Sequence, residues 1–189
     1  MINQVFDPFR DRLSRDIRND LSESLLTCRT QLRLSPAQAV ADRYLATNPE
    51  SCYVDYIKDR LDRYARFLVL IAKGPADVVW QGFVLWDLEL FFEVHEILEQ
   101  AWMHALGDEK TFLQALIRAA GVYIKREYGF AEGAAKMAAK AVPVLAVNAH
   151  RLAVHIDPER LLAALRVATG KPPLLLHGTL FPIEDMRQG

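Results

Sequence analysis

Phe91-Phe92-Glu93-Val94-His95-Glu96-Ile97-Leu98-Glu99-Gln100-Ala101-Trp102 carries the clearest pattern in the chain. At about 100° per residue, Leu88, Phe91, Phe92, His95, Leu98, Glu99, Trp102 and Leu106 fall within one arc of a helix. That arc is apolar except for an imidazole and a carboxylate at i and i+4. His95 and Glu99 are therefore expected side by side on a core-facing stripe, with Trp102 one turn further on. Burying either polar group alone is costly, so each needs a partner. On this reading His95→Ala costs a few kcal/mol, because it orphans a buried carboxylate.

Helical periodicity extends outward in both directions, and no stretch alternates long enough for a sheet. Upstream, residues 7–33 read as a charged amphipathic helix. Ser35-Pro36-Ala37-Gln38 reads as a capping box opening a helix to about residue 47. A third helix spans about 51–73, ended by Gly74-Pro75. Residues 76–106 read as one helix or two, with Asp87 as a cap at the break. Downstream, Asp108 caps a helix running to Gly129. An alanine-rich helix covers 131–152, divided or kinked at Pro143. Asp157-Pro158 opens a last helix to about 169, followed by a short apolar tail. The expected organisation is an N-terminal helical extension (1–74), a core helical domain (75–170) and a C-terminal tail (171–189). The fold class is all-α, a multihelical antiparallel bundle.

A hydrophobic content of 51% over 189 residues is ample for a sizeable core. The net charge of −1 gives no reason to expect nucleic acid or an acidic membrane as partner. Charge is uneven, however: residues 74–130 hold 4 basic and 9 acidic groups, so the segment around His95 is acidic. Cys28 and Cys52 follow no metal spacing and suggest a reducing compartment. Residues 1–20 mix acids and bases without an apolar stretch, so no signal peptide is expected. No apolar run reaches transmembrane length. A cytoplasmic location follows. The alanine-rich helix and the apolar tail point to a homo-oligomer.

Three chemistries fit the His95/Glu99 pair. Glu99 can hold one imidazole tautomer in a structural pair. The pair can supply two ligands to a divalent metal, with the remainder coming from elsewhere. His95 can act as a general base oriented by Glu99. Trp102 closes the site against water in each case. On the next helix, Gln114, Arg118 and Lys125 line one edge of the apolar arc. Antiparallel packing would bring that edge toward the pair, where Arg118 or Lys125 supplies positive charge to Glu99. Glu89, Glu93, Glu96 and Gln100 are read as a wet opposite face. His104, His150, His155 and His177 have no motif around them, although His150 and His155 flank a helix end.

At these residues the chain resembles the bacterial and archaeal family called domain of unknown function 309. The match is the pattern His95-x-x-x-Glu99-x-x-Trp102, followed by Phe112-Leu113-Gln114-x-Leu116-Ile117 and a later Gly133-Ala134, over roughly residues 78–150. The resemblance implies a small, all-helical, cytoplasmic protein whose motif is suited to metal. The chain departs from the family pattern at Glu89, Arg118, Lys125 and Phe130. Two cations thus stand where further ligands would be expected.

The reading is a helical protein with a buried His95/Glu99 pair, structural or lining a small ligand pocket with Trp102, Gln114, Arg118 and Lys125, and not catalytic. The alternative is a metal-dependent enzyme of hydrolytic type that uses His95 and Glu99, assisted by Glu96 or Gln114. A third is a scaffold that binds a partner helix through residues 1–73.

Overall fold

A computed structural model describes residues 5–167 and 170–176. Every regular element among them is a helix. The chain forms two compact units that divide between Gly74 and Pro75.

The first unit holds α1 (Arg12–Gln31), α2 (Ser35–Leu45) and α3 (Ser51–Ile71). Helix α1 buries Ile17, Leu21, Leu25 and Cys28 along one stripe. Each such aliphatic side chain contributes about 1.5–3 kcal/mol on burial. The helix starts where the Asp11 carboxylate accepts from the backbone N–H of Leu13 and Ser14 at 3.4 and 2.8 Å. It ends on Leu32, a left-handed residue (φ 51°), where Arg33 N–H bonds back to the Cys28 carbonyl. Two tyrosines tie the other helices to α1. Tyr53 Oη donates to Asp11 at 2.9 Å, and Tyr44 Oη donates to Asp20 at 2.7 Å. The box expected at Ser35 does not form. Leu34 takes the cap position without a side-chain hydrogen bond, and Ser35 is already helical.

The second unit holds α4 (Val78–Asp87), α5 (Phe91–His104), α6 (Gly107–Glu127), α7 (Ala131–Val147), α8 (Ala149–Leu152) and α9 (Pro158–Val167). Residues 76–106 are thus two helices. The break falls at Leu88–Leu90, where Glu89 has φ 56° and Leu90 N–H reaches the Leu85 carbonyl at 2.9 Å. Asp87 is the last residue of α4 rather than a helix cap. Asp108 lies inside the first turn of α6, which Leu106 precedes without a side-chain cap.

Helices α6 and α7 meet through small residues. Ala119, Ala120 and Gly121 are buried on one, and Ala134, Ala138 and Ala141 on the other. A Cβ on Gly121 would lie 2.5 Å from Met137 Cε, so any larger residue there would push the methionine end aside. Pro143 does not divide α7, which continues to Val147 and ends at Asn148.

The described part of the tail lies on its own unit. Trp86 Nε1 donates to the Pro173 carbonyl at 3.0 Å. The Asp87 carboxylate accepts from Leu175 and Leu176 N–H at 2.7 and 2.8 Å. Leu175 and Leu176 are buried, while Leu174 is half-exposed. His177 falls outside the described residues.

Candidate functional site

The start of α5 is fixed by aromatic packing. Phe91, its first residue, sits edge-on to Trp86 at 5.2 Å and stacks on Tyr123 of α6 at 5.2 Å. Burial raises the Tyr123 hydroxyl above its usual value, against a smaller opposing effect of Arg126. One turn on, the His95 ring lies parallel to Phe92 at 6.1 Å. Its Nδ1 is 3.2 Å from Glu96 Oε1 and 3.9 Å from Glu99 Oε2.

These distances change the expected pair. The side chains of His95 and Glu99 are 32% and 42% exposed, so the pair is half-buried and not enclosed by core. The arc containing them is the border of the apolar stripe, whose centre is Val94, Ile97 and Leu98. The nearer carboxylate belongs to Glu96, whose angular position predicts the wet face. Neighbours on a helix are about 100° apart, yet the flexible glutamate side chain turns back to the imidazole. Glu93 also departs from the wet-face expectation: it is 1% exposed.

His95, Glu96 and Glu99 thus present one nitrogen and two carboxylate oxygens within 4.8 Å of one another. A cation bound at about 2.1 Å from each would hold neighbouring ligands about 3–4 Å apart. Shifts of about an ångström in the two glutamate carboxylates would close the set. No thiol takes part, so the donors suit borderline or hard divalent ions such as Zn²⁺ or Mn²⁺. A carboxylate only accepts hydrogen bonds, so a hydrogen bond from Nδ1 to Glu96 requires the imidazole proton on Nδ1.

Trp102, one turn beyond Glu99, is half-buried and lies under Lys110 of α6, with Nζ 4.5 Å from the ring centroid. Its indole N–H is buried and finds no acceptor among the described residues. Gln114 and Arg118 of α6 are both half-buried. Lys125 holds its Nζ 5.0 Å above the Phe130 ring, with its methylenes beside Gly133. A cavity of about 420 Å³ lies elsewhere in the unit, between residues 153–160 and Leu175–Leu176. None of the six candidate residues lines it. His155 lines it and pairs through Nε2 with Asp77 at 3.2 Å. His104 and His150 are exposed.

Residues 79–137 match the family described as Domain of unknown function (DUF309). This segment is similar to that family. The matched stretch runs from α4 into α7 and contains the whole His95/Glu96/Glu99 cluster, together with Trp102, Gln114, Arg118 and Lys125. No curated protein matches the chain, and neither does any solved structure. Among the described residues no helix is long and apolar enough to cross a membrane.

Proposed function

We propose that the DUF309 segment is a divalent-cation-binding helical domain, with His95, Glu96 and Glu99 as its protein ligands. The observation that carries this reading is the convergence of three donor atoms within 4.8 Å on one partly open helical face. Two carboxylates held beside one imidazole nitrogen repel each other, and a dication relieves that repulsion. The half-exposure of the pair removes the physical reason for a purely structural role, since water reaches both groups.

Three protein ligands leave coordination positions open, which distinguishes reactive metal sites from closed structural ones. A cation held there would supply Lewis acidity to a bound water, the chemistry of metal-assisted hydrolysis. The chain's own residues would orient it: Phe92 packs the imidazole, and Trp102 under Lys110 walls the next turn. A cation held at Nδ1 would require the imidazole proton on Nε2.

The test is Zn²⁺ titration of chelator-stripped protein by calorimetry, with histidine ¹⁵N shifts recorded in parallel. One site per chain is expected, lost in Glu99→Gln and His95→Ala, with a Nδ1-to-Nε2 tautomer change at His95. No uptake, or uptake indifferent to both substitutions, overturns the reading.

A further inference from the structure

The described end of the chain is held by side chains that recognise its backbone. Asp87 accepts two consecutive N–H groups, from Leu175 and Leu176, in charge-assisted hydrogen bonds. Trp86 donates to the Pro173 carbonyl, and Arg160 Nη1 of α9 donates to the Leu174 carbonyl at 3.1 Å. Pro172 and Pro173 restrict the backbone before docking, which lowers the entropy lost on ordering it. The burial of Leu175 and Leu176, each 4% exposed, adds apolar stabilisation.

This clamp stands at the head of the helix that carries the cluster. Asp87 ends α4, and three residues separate it from Phe91, the first residue of α5. The Trp86 indole that holds Pro173 also packs edge-on against Phe91 (5.2 Å) and Tyr123 (5.0 Å). Phe91 opens α5, and the next residue, Phe92, stacks on His95. Contacts therefore run from the tail through Trp86 to Phe91, and the α5 backbone carries on from Phe91 to Phe92, whose ring stacks on the imidazole.

We propose that Asp87 is a positioning residue for the His95/Glu96/Glu99 cation site, acting through the tail segment that it clamps. This rests on the cation reading above. Docking of residues 173–176 fixes Trp86, Trp86 fixes Phe91, and Phe91 sets the first turn of α5 on which His95 stands. Cation binding and tail docking are then coupled, and the coupling is reciprocal.

Hydrogen exchange on the intact wild-type protein reads this directly. With Zn²⁺ in place of EDTA, the Leu175 and Leu176 amides are expected to exchange roughly 3–10-fold more slowly, within the usual range of such couplings. In Asp87→Asn the same amides are expected to exchange faster, and the Zn²⁺ dissociation constant to rise by a similar factor, with Asp87→Glu recovering part of the affinity. Tail amides indifferent to Zn²⁺ in the wild type overturn the proposal. So does an Asp87→Asn protein whose tail is released while its Zn²⁺ affinity is unchanged. If Asp87→Asn does not fold, the wild-type exchange decides alone. A wild type that takes up no Zn²⁺ marks failure of the cation reading itself, and this inference falls with it.

Discussion

Asp11 in the first unit and Glu99 in the second are both carboxylates placed near a ring that can donate a hydrogen bond, and they behave oppositely. Asp11 accepts from two backbone N–H groups, from the Ser14 hydroxyl at 2.7 Å and from Tyr53 Oη at 2.9 Å. Burial pushes its pKa upward, but the hydrogen bonds from Ser14, Tyr53 and Leu13 together outweigh it and hold the pKa below the usual carboxylate value. Its partners come from two helices, and it is saturated. Glu99 stands 3.9 Å from His95, with a second carboxylate nearer the same nitrogen. A carboxylate surrounded by donors holds a fold together, whereas one that shares its donor with another carboxylate is suited to a cation.

The largest separation between the two regions is expected from His95→Ala. Zinc affinity should fall by about 100-fold or more, beyond what loss of a supporting residue causes. Stability measured by urea unfolding without metal should change by less than about 1 kcal/mol, as for a partly exposed position. A larger loss of stability would return the site to a structural role. Asp11→Ala should do the reverse. Loss of the cap and of the Tyr53 acceptor is expected to cost about 2 kcal/mol in the same unfolding measurement, with zinc affinity unchanged.

Alkaline titration probes the first unit more gently. Burial and the Asp20 hydrogen bond push the Tyr44 hydroxyl up to about 12 from 10.0, and burial with Asp11 does the same for Tyr53. A phenol whose folded pKa is raised contributes stability that is fully present below about pH 10 and lost as pH rises toward 12. Circular dichroism across that window should show the loss, and Tyr44→Phe with Tyr53→Phe should flatten it. The smallest effect is expected from Lys110→Ala, which removes the cation over Trp102. About 0.5–1 kcal/mol of stability should disappear, visible as a small shift in urea midpoint.

The helices were largely legible because hydrophobic spacing, glycine and proline are local signals. The stripe Ile17, Leu21, Leu25 and Cys28 is buried as its spacing requires, and the helix break near Asp87 falls within the expected segment. Periodicity could not separate the centre of the α5 stripe from its border. That distinction depends on how neighbouring helices cover it, and so the periodicity predicts His95 and Glu99 deeper than the half-buried border they occupy. Glu96 is read on the wet face, with at most an assisting part in the metal alternative, because an angular position on a helix ignores the reach of a three-carbon side chain; its carboxylate lies nearer the imidazole than that of Glu99. The role of Asp87 was invisible for another reason: its partners are 88 and 89 residues away.

That separation also has a temporal side. A chain emerging from the ribosome at about 5–20 residues per second presents Trp86 roughly 4–20 s before Pro173, 87 residues later, exists to receive its hydrogen bond. Helices α4 to α6 are therefore complete while the clamp at their head is still empty. The nascent domain spends that interval without the tail's contacts to Trp86 and Asp87, so a premature stop codon just before residue 173 would leave every described helix encoded and those contacts permanently unmade.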